Sequence, residues 1–135
     1  MSGPTNTCAA ALFVLDSNVV INFMNKTIGI LPGANNAEKP QYFVSVVTEM
    51  EALAKPNDTE KERKDVQALL SKFTIIPLND EIKKLAIEIR RAGSPRPKLP
   101  DAIVAATAVT LEATLVSTDE KLLKLFWPGL QTIGI

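Results

Sequence analysis

The stretch Ala10-Ala11-Leu12-Phe13-Val14-Leu15-Asp16-Ser17-Asn18-Val19-Val20-Ile21 decides the fold. Its first six residues are apolar without alternation, the pattern of a strand buried on both faces inside a parallel sheet. Polar Asp16, Ser17 and Asn18 end the run, and Val19, Val20, Ile21, Phe23 and Met24 continue as a short helix. Asp16 therefore stands at the carboxyl end of a strand, the edge at which open α/β sheets place their sites.

Outward from this unit, strand and helix signals mostly alternate. The Gly-, Pro- and Asn-rich segment 25–40 reads as a loop. Tyr42 to Val44 reads as a second strand, and Ser45 as the N-cap of a helix ended by Lys55, Pro56 and Asn57. Thr59 and Glu62 have the spacing of a capping box, and Val66, Leu69 and Leu70 stripe the helix that follows. Phe73 to Ile76 reads as a third strand. Asn79 caps a helix with Ile82, Leu85, Ala86 and Ile89 on its apolar face, and Gly93 is a good residue to close it. Pro100 favours the first turn of a helix from Asp101 to Glu112, whose Ala102, Ala105, Ala106 and Ala108 let it lie close against a sheet. Thr114 to Ser117 reads as a strand, Lys121 to Phe126 as a short helix and Gln131 to Ile135 as an edge strand. The pattern predicts an α/β sandwich with a mainly parallel sheet, in a single domain spanning 1–135.

Composition narrows the chemistry. The 135 residues are 46% hydrophobic, enough for one substantial core, and the formal net charge is zero, so contact with a polyanion needs a local basic patch. Histidine is absent, which removes Ser-His and Cys-His catalysis, histidine bases and histidine ligands. The lone Cys8 allows no internal disulfide and fits a reducing, cytoplasmic setting. The apolar stretch 8–15 is far shorter than the roughly 20 residues a bilayer span needs, so no membrane role is expected.

Hydrolytic chemistry must then rest on carboxylates. Asp16 after the first strand, Asp101 in the first turn of a buried helix and Asp119 after a later strand all belong to one sheet edge. A fourth acid lies on the helix after Ser45. Taking Val46, Val47, Met50, Leu53 and Ala54 as its buried stripe, Glu51 and Glu49 fall about 100° to either side, so periodicity does not choose between them. Gathered carboxylates stay ionised when a cation neutralises them. All-oxygen donors suit Mg2+ or Mn2+ and suit zinc poorly, and phosphodiester hydrolysis follows as a candidate reaction for such a site. Strand-end aspartates also cap helices, and spacing alone leaves both roles open.

Four segments taken in order resemble the PIN-domain family, in particular VapC-type toxins of type II toxin-antitoxin systems. Val14-Leu15-Asp16-Ser17-Asn18-Val19-Val20-Ile21 resembles the family's opening motif, with Ser17 where threonine is common. Ser45-Val46-Val47-Thr48-Glu49-Met50-Glu51 resembles the second. Lys98-Leu99-Pro100-Asp101-Ala102-Ile103-Val104-Ala105-Ala106-Thr107-Ala108 resembles the third, and Leu115-Val116-Ser117-Thr118-Asp119 the fourth. The resemblance implies a PIN-like three-layer sandwich and a Mg2+- or Mn2+-dependent endoribonuclease. It implies Asp16, Glu51, Asp101 and Asp119 as the catalytic and metal-binding quartet, and so selects Glu51 over Glu49. An RNA substrate, a cognate antitoxin that covers the groove and a homodimer are implied as well. Asn18 and Thr118 are candidate water-positioning groups, with helix capping as the plainer role.

Arg90, Arg91, Arg96 and Lys98 form the best basic patch for an RNA backbone, and Lys98 lies nearest an acid of the quartet. Arg90 and Arg91 also suit a helix C-terminus for dipole reasons alone. The mixed run Glu60 to Asp65 reads as an exposed helix face with local ion pairs, and Trp127 as a core or interface anchor. Two other readings compete. A phosphoacceptor receiver domain wants paired acids after the first strand, where Ser17 and Asn18 stand instead. A catalytically inactive PIN-fold module binding RNA or protein is disfavoured because all four acids are present.

Overall fold

The structure is a computed structural model that describes residues 11–34, 39–56 and 58–135; Cys8, Ala10, Asn57 and part of the 25–40 connection lie outside the described residues. Strand β1 (Leu12–Leu15) leads into helix α1 (Ser17–Met24), then β2 (Gln41–Ser45), α2 (Val46–Leu53) and α3 (Glu60–Leu70). These are followed by β3 (Thr74–Ile76), α4 (Asp80–Ala92), α5 (Leu99–Leu111), β4 (Thr114–Ser117), α6 (Glu120–Leu123) and β5 (Gln131–Gly134). The strands form one sheet in the order β3-β2-β1-β4-β5. Every pairing is parallel, so the sheet is wholly rather than mainly parallel, and the segment expected at the edge is indeed an edge strand.

Helices cover both faces, and β1 lies at the centre. Val14 and Leu115 point to one side, into a core built with Ile82, Ala86 and Ile89 of α4 and the alanines of α5. Phe13, Leu15 and Val116 point to the other, against Val19 and Val20 of α1, Ala52 of α2 and Val66 and Leu70 of α3. Burial on both faces is the reason the first strand reads as an unbroken apolar run. Helix α5 buries Ala102, Val104, Ala105, Ala106, Thr107 and Ala108, and small side chains let it approach the sheet and α4 together. Its one polar residue in that face, Thr107, donates its hydroxyl to the Ile103 carbonyl at 2.8 Å.

Local signals also hold. Thr59 and Glu62 form the reciprocal capping box of α3, Asn79 caps α4, and Ser45 caps α2 through the Val47 N–H. Lys61–Asp65 and Lys64–Glu60 pair along the exposed face of α3. Trp127 packs against the α4–α5 core. The loop 25–40 sends Leu31 into the other core, and the Tyr42 hydroxyl donates to the Pro32 carbonyl at 2.6 Å.

Four details depart from expectation. Helix α5 begins at Leu99, ahead of Asp101, with Lys98 at the N-cap and Pro100 inside the first turn. Helix α6 stops at Leu123, well short of Phe126, because the chain turns away to pair Phe126 with Ser94, the Phe126 N–H donating to the Ser94 carbonyl at 2.8 Å. Helix α2 is turned relative to the apolar stripe: Met50 is 62% exposed, while Thr48 and Ala52 are buried. It lies between α1, α3 and α5, where only small side chains fit at the closest approach. Gly93 follows α4 with φ −65° and ψ 150°, so it is not there for a left-handed turn. Space requires it: a Cβ would lie 2.6 Å from the Ile89 carbonyl oxygen and 3.0 Å from Leu125 Cδ1.

Gly93→Ala should therefore cost about 1–3 kcal/mol by overpacking. Gly29, around which a Cβ would meet nothing within 4 Å, should accept alanine within about 0.5 kcal/mol. Urea denaturation of the two variants compares them directly, and equal midpoints would show that the α4–α5 turn has room to relax.

Candidate active site

Asp16 follows β1 directly. Its backbone N–H donates to the Val116 carbonyl at 3.0 Å, extending the β1–β4 ladder by one residue, and its side chain emerges at the carboxyl edge only 5% exposed. Oδ1 accepts the Ser17 N–H at 2.8 Å, and Oδ2 accepts the hydroxyl of Ser117 at 2.9 Å. Ser117 ends the neighbouring strand β4 and is fully buried. Its Oγ also accepts the Asp119 N–H at 2.9 Å, and Asp119 Oδ1 accepts the Lys121 N–H at 2.9 Å. One hydroxyl thus ties the Asp16 carboxylate to the backbone of Asp119. Both aspartates are helix caps, of α1 and α6, and the capping and site roles can coexist because each carboxylate oxygen has two lone pairs and accepts more than one partner.

Asp101 reaches the same edge from the first turn of α5, half-buried, and Glu51 from the exposed side of α2. Their electrostatics show who faces whom. Burial raises the Asp16 carboxyl above its ordinary range, the bonds from Ser117 and Ser17 pull it down, and the charge of Asp119 pushes it up. Burial raises Asp101, the charges of Asp16 and Asp119 raise it further, and Lys98 lowers it. Burial raises Glu51 too, followed by the charges of Asp16 and Asp101. Asp16 and Asp101 thus each feel the charge of Asp119, Glu51 feels those of Asp16 and Asp101, and Asp101 and Asp119 line one cleft. Among the described residues, however, no three of them close into a ready-made metal cage.

Helix α2 separates its two glutamates. Counted at about 100° per residue, the buried Thr48 and Ala52 leave Glu51 and Glu49 roughly 80° to either side. Glu51 faces Asp16 and Asp101, whereas Glu49 lines a hollow on the α3 side with Gln67, Ser71 and Phe73. Asn18 is exposed in the first turn of α1 and Thr118 is half-buried between Ser117 and Asp119. The caps they were candidates for are supplied by Asp16 and Asp119 themselves.

Lys98 opens onto a cleft of about 520 Å³ that also holds Asp101, Asp119, Arg96 and Lys121. Arg90 and Arg91 do not line this cleft and stand exposed in the last turn of α4. A hollow of similar size, about 540 Å³, lies between the end of α1 and α3, is mostly apolar, and contains none of the four acids. Sequence reading misses two residues here. Ser117 carried a legible signal, a polar residue closing an otherwise apolar strand two positions before Asp119. Lys121 carried none, since only the folding of α6 against the Ser94–Lys98 loop brings it to the cleft.

A wholly parallel, doubly wound sheet with an acidic crevice at its carboxyl edge defines an α/β protein whose site is built from strand ends and helix starts. The PIN domain family model matches residues 13–126, and the chain belongs to that family. Solved structures agree. A toxin-antitoxin complex from Klebsiella pneumoniae is similar at 28% identity with a TM-score of 0.67, covering 93% of this chain and 100% of that one. VapBC2 from Rickettsia felis, bound to a promoter DNA fragment, aligns at 20% identity with a TM-score of 0.73, covering 92% and 98%. DNA-bound VapBC from Salmonella typhimurium aligns at 17% identity with a TM-score of 0.71, covering 92% and 98%. The last two speak to the fold. A search of curated protein sequences finds no significant match. The family read from the four motifs is thus the one found.

Carboxyls raised in the fold make stability fall with pH. A group that binds its proton more tightly when folded contributes stability below its unfolded pKa, and that contribution is lost as pH rises through the folded value. Metal-free protein should therefore lose stability from about pH 4 upward as Asp16, Asp101 and Glu51 ionise. Asp101→Asn should raise the Tm in chelator at neutral pH, with the gain vanishing near pH 4. A lower Tm for the variant at pH 7 would mean that Asp101 has a compensating partner.

Proposed function

We propose that this protein is an endoribonuclease that hydrolyses RNA phosphodiester bonds with Mg2+ or Mn2+. In this reading it acts in the cytoplasm as a homodimer and is the toxin half of a toxin-antitoxin pair, silenced by a cognate antitoxin. The observation that carries the proposal is the gathering of acids at the sheet edge: Asp16 and Asp119 tied through the Ser117 hydroxyl, Asp101 and Asp119 on one cleft, and Glu51 within electrostatic reach of Asp16 and Asp101. Ionised acids held this way oppose folding, and a bound cation offsets the repulsion. Membership of the PIN family supports nuclease chemistry, and the toxin-antitoxin complexes among similar structures support an antitoxin partner.

The residues fit a hard cation. The donors are all carboxylate oxygens, which suits magnesium or manganese. Asp16, Glu51, Asp101 and Asp119 would hold it, and when bound it supplies charge neutralisation at the phosphate and an acidified water. The chain's own residues set the geometry. Ser117 fixes Asp16 Oδ2 relative to Asp119, so that two acids from adjacent strand ends keep one spacing. In this reading Asn18 and Thr118, close in sequence to Asp16 and Asp119, orient water. Lys98 presents an ammonium near Asp101 to an incoming phosphate.

RNA cleavage by the purified protein should need Mg2+ or Mn2+ and stop in chelator. Asp16→Asn should lose most activity while folding normally. Glu51→Gln should lose cleavage and bind Mn2+ more weakly, whereas Glu49→Gln keeps both, because its charge faces α3. Cleavage that persists in excess chelator would refute the metal requirement. An inactive Glu49→Gln beside an active Glu51→Gln would place the wrong glutamate in the site.

A further inference from the structure

The cleft beside the acids has two walls that are fixed to each other. One is the segment Ser94–Lys98, the other α6 and the residues after it. Ser94 and Phe126 form a β-bridge, and Gly93 sits so close to Leu125 that a methyl group would crowd it. The cleft is therefore preformed. It carries three cations, Arg96, Lys98 and Lys121, although the chain as a whole has no net charge. All three are exposed. Among the described residues none has a carboxylate within ion-pair distance, in contrast to Lys61, Lys64 and Lys83. Asp101 and Asp119 line the same cleft without pairing to them. Unpaired cations held next to repelling acids leave room for a third partner that is anionic, and a polyanion running past the acids meets both.

We infer that this cleft is the subsite for the backbone phosphate flanking the one cut, in a single RNA strand, with Arg96 and Lys121 gripping it from opposite walls and Lys98 beside Asp101. The inference rests on the nuclease reading above. The cleft, about 520 Å³, is in the range of small-molecule sites and has room for a phosphate and its ribose. Pro95, Pro97 and Leu122 give it apolar surface against which a ribose or base can rest. Unpaired, splayed nucleotides are also what proteins read in RNA, since the A-form duplex hides its base edges.

The test uses a short, fluorescently labelled, unstructured RNA, free or annealed to its complement. Binding is followed by anisotropy in chelator over a range of salt, and cleavage by steady-state kinetics with Mn2+. Arg96→Ala and Lys121→Ala should each weaken binding several-fold and reduce the salt slope by about 0.7, the value for one phosphate left unneutralised on a single strand. Each should raise KM with little change in kcat, as expected for an interaction made equally in ground and transition states. Lys121→Arg should restore both, and Lys83→Ala, on α4, should match wild type. The duplex should compete poorly. If wild type cleaves and the two alanine variants behave like Lys83→Ala, the subsite is wrong and the nuclease reading stands. Equal competition by the duplex overturns the assignment to a single strand. Wild type that neither binds nor cuts RNA overturns both readings.

Discussion

The Asp16 carboxylate is almost wholly removed from water, and two hydrogen bonds hold it there, from the Ser17 N–H and the Ser117 hydroxyl. Burial penalises the charge while both bonds favour it, so the group sits in tension between the two. That tension organises the rest of the edge. Ser117 can reach Asp16 only because β1 and β4 are adjacent and parallel, with Leu15 opposite Val116. The same hydroxyl anchors the Asp119 backbone, which starts α6, and α6 forms one wall of the basic cleft. Asp101 comes within electrostatic reach of Asp16 because α5 is narrow enough to lie against β1 and β4.

Stability and site geometry therefore pull in opposite directions. The two cores are aliphatic, and each fully buried Leu or Ile contributes about 1.5–3 kcal/mol. Against this the fold spends stability on three carboxyls raised by burial and, less, by neighbouring acid charges. Such repulsion marks a place where local preference yields to something the isolated chain lacks. The cations of the neighbouring cleft soften it only slightly, since Lys98 alone lowers Asp101 and none forms an ion pair among the described residues.

The β1–α1 unit was legible because a strand buried on both faces leaves an apolar run and Asp16 interrupts it abruptly. The capping box of Thr59 and Glu62 and the alanine face of α5 were legible for similarly local reasons. Three of the acids could be placed on one edge from topology alone, and only the family resemblance favoured Glu51. The rotation of α2 was not legible. A two-turn helix wedged among other helices buries its smallest residues, so Thr48 and Ala52 went inside while Met50, one of the expected apolar stripe, came out. Nor could sequence show that Gly93 is needed for space rather than for turn geometry, or that Lys121 faces Arg96 and Lys98 across a cleft. These depend on what packs opposite, which no periodicity carries.

If the central claim holds, an acidic edge strained by its own charges is completed by a divalent cation, and binding must displace the protons those raised carboxyls retain. Calorimetric titration with Mn2+ near pH 5, just above the ordinary carboxylate range of about 4, in buffers of different ionisation enthalpy measures this directly. The account predicts saturable binding with net proton release that shrinks toward neutral pH and is lost in Asp16→Asn. Absence of binding, or binding of equal strength in that variant, would contradict it.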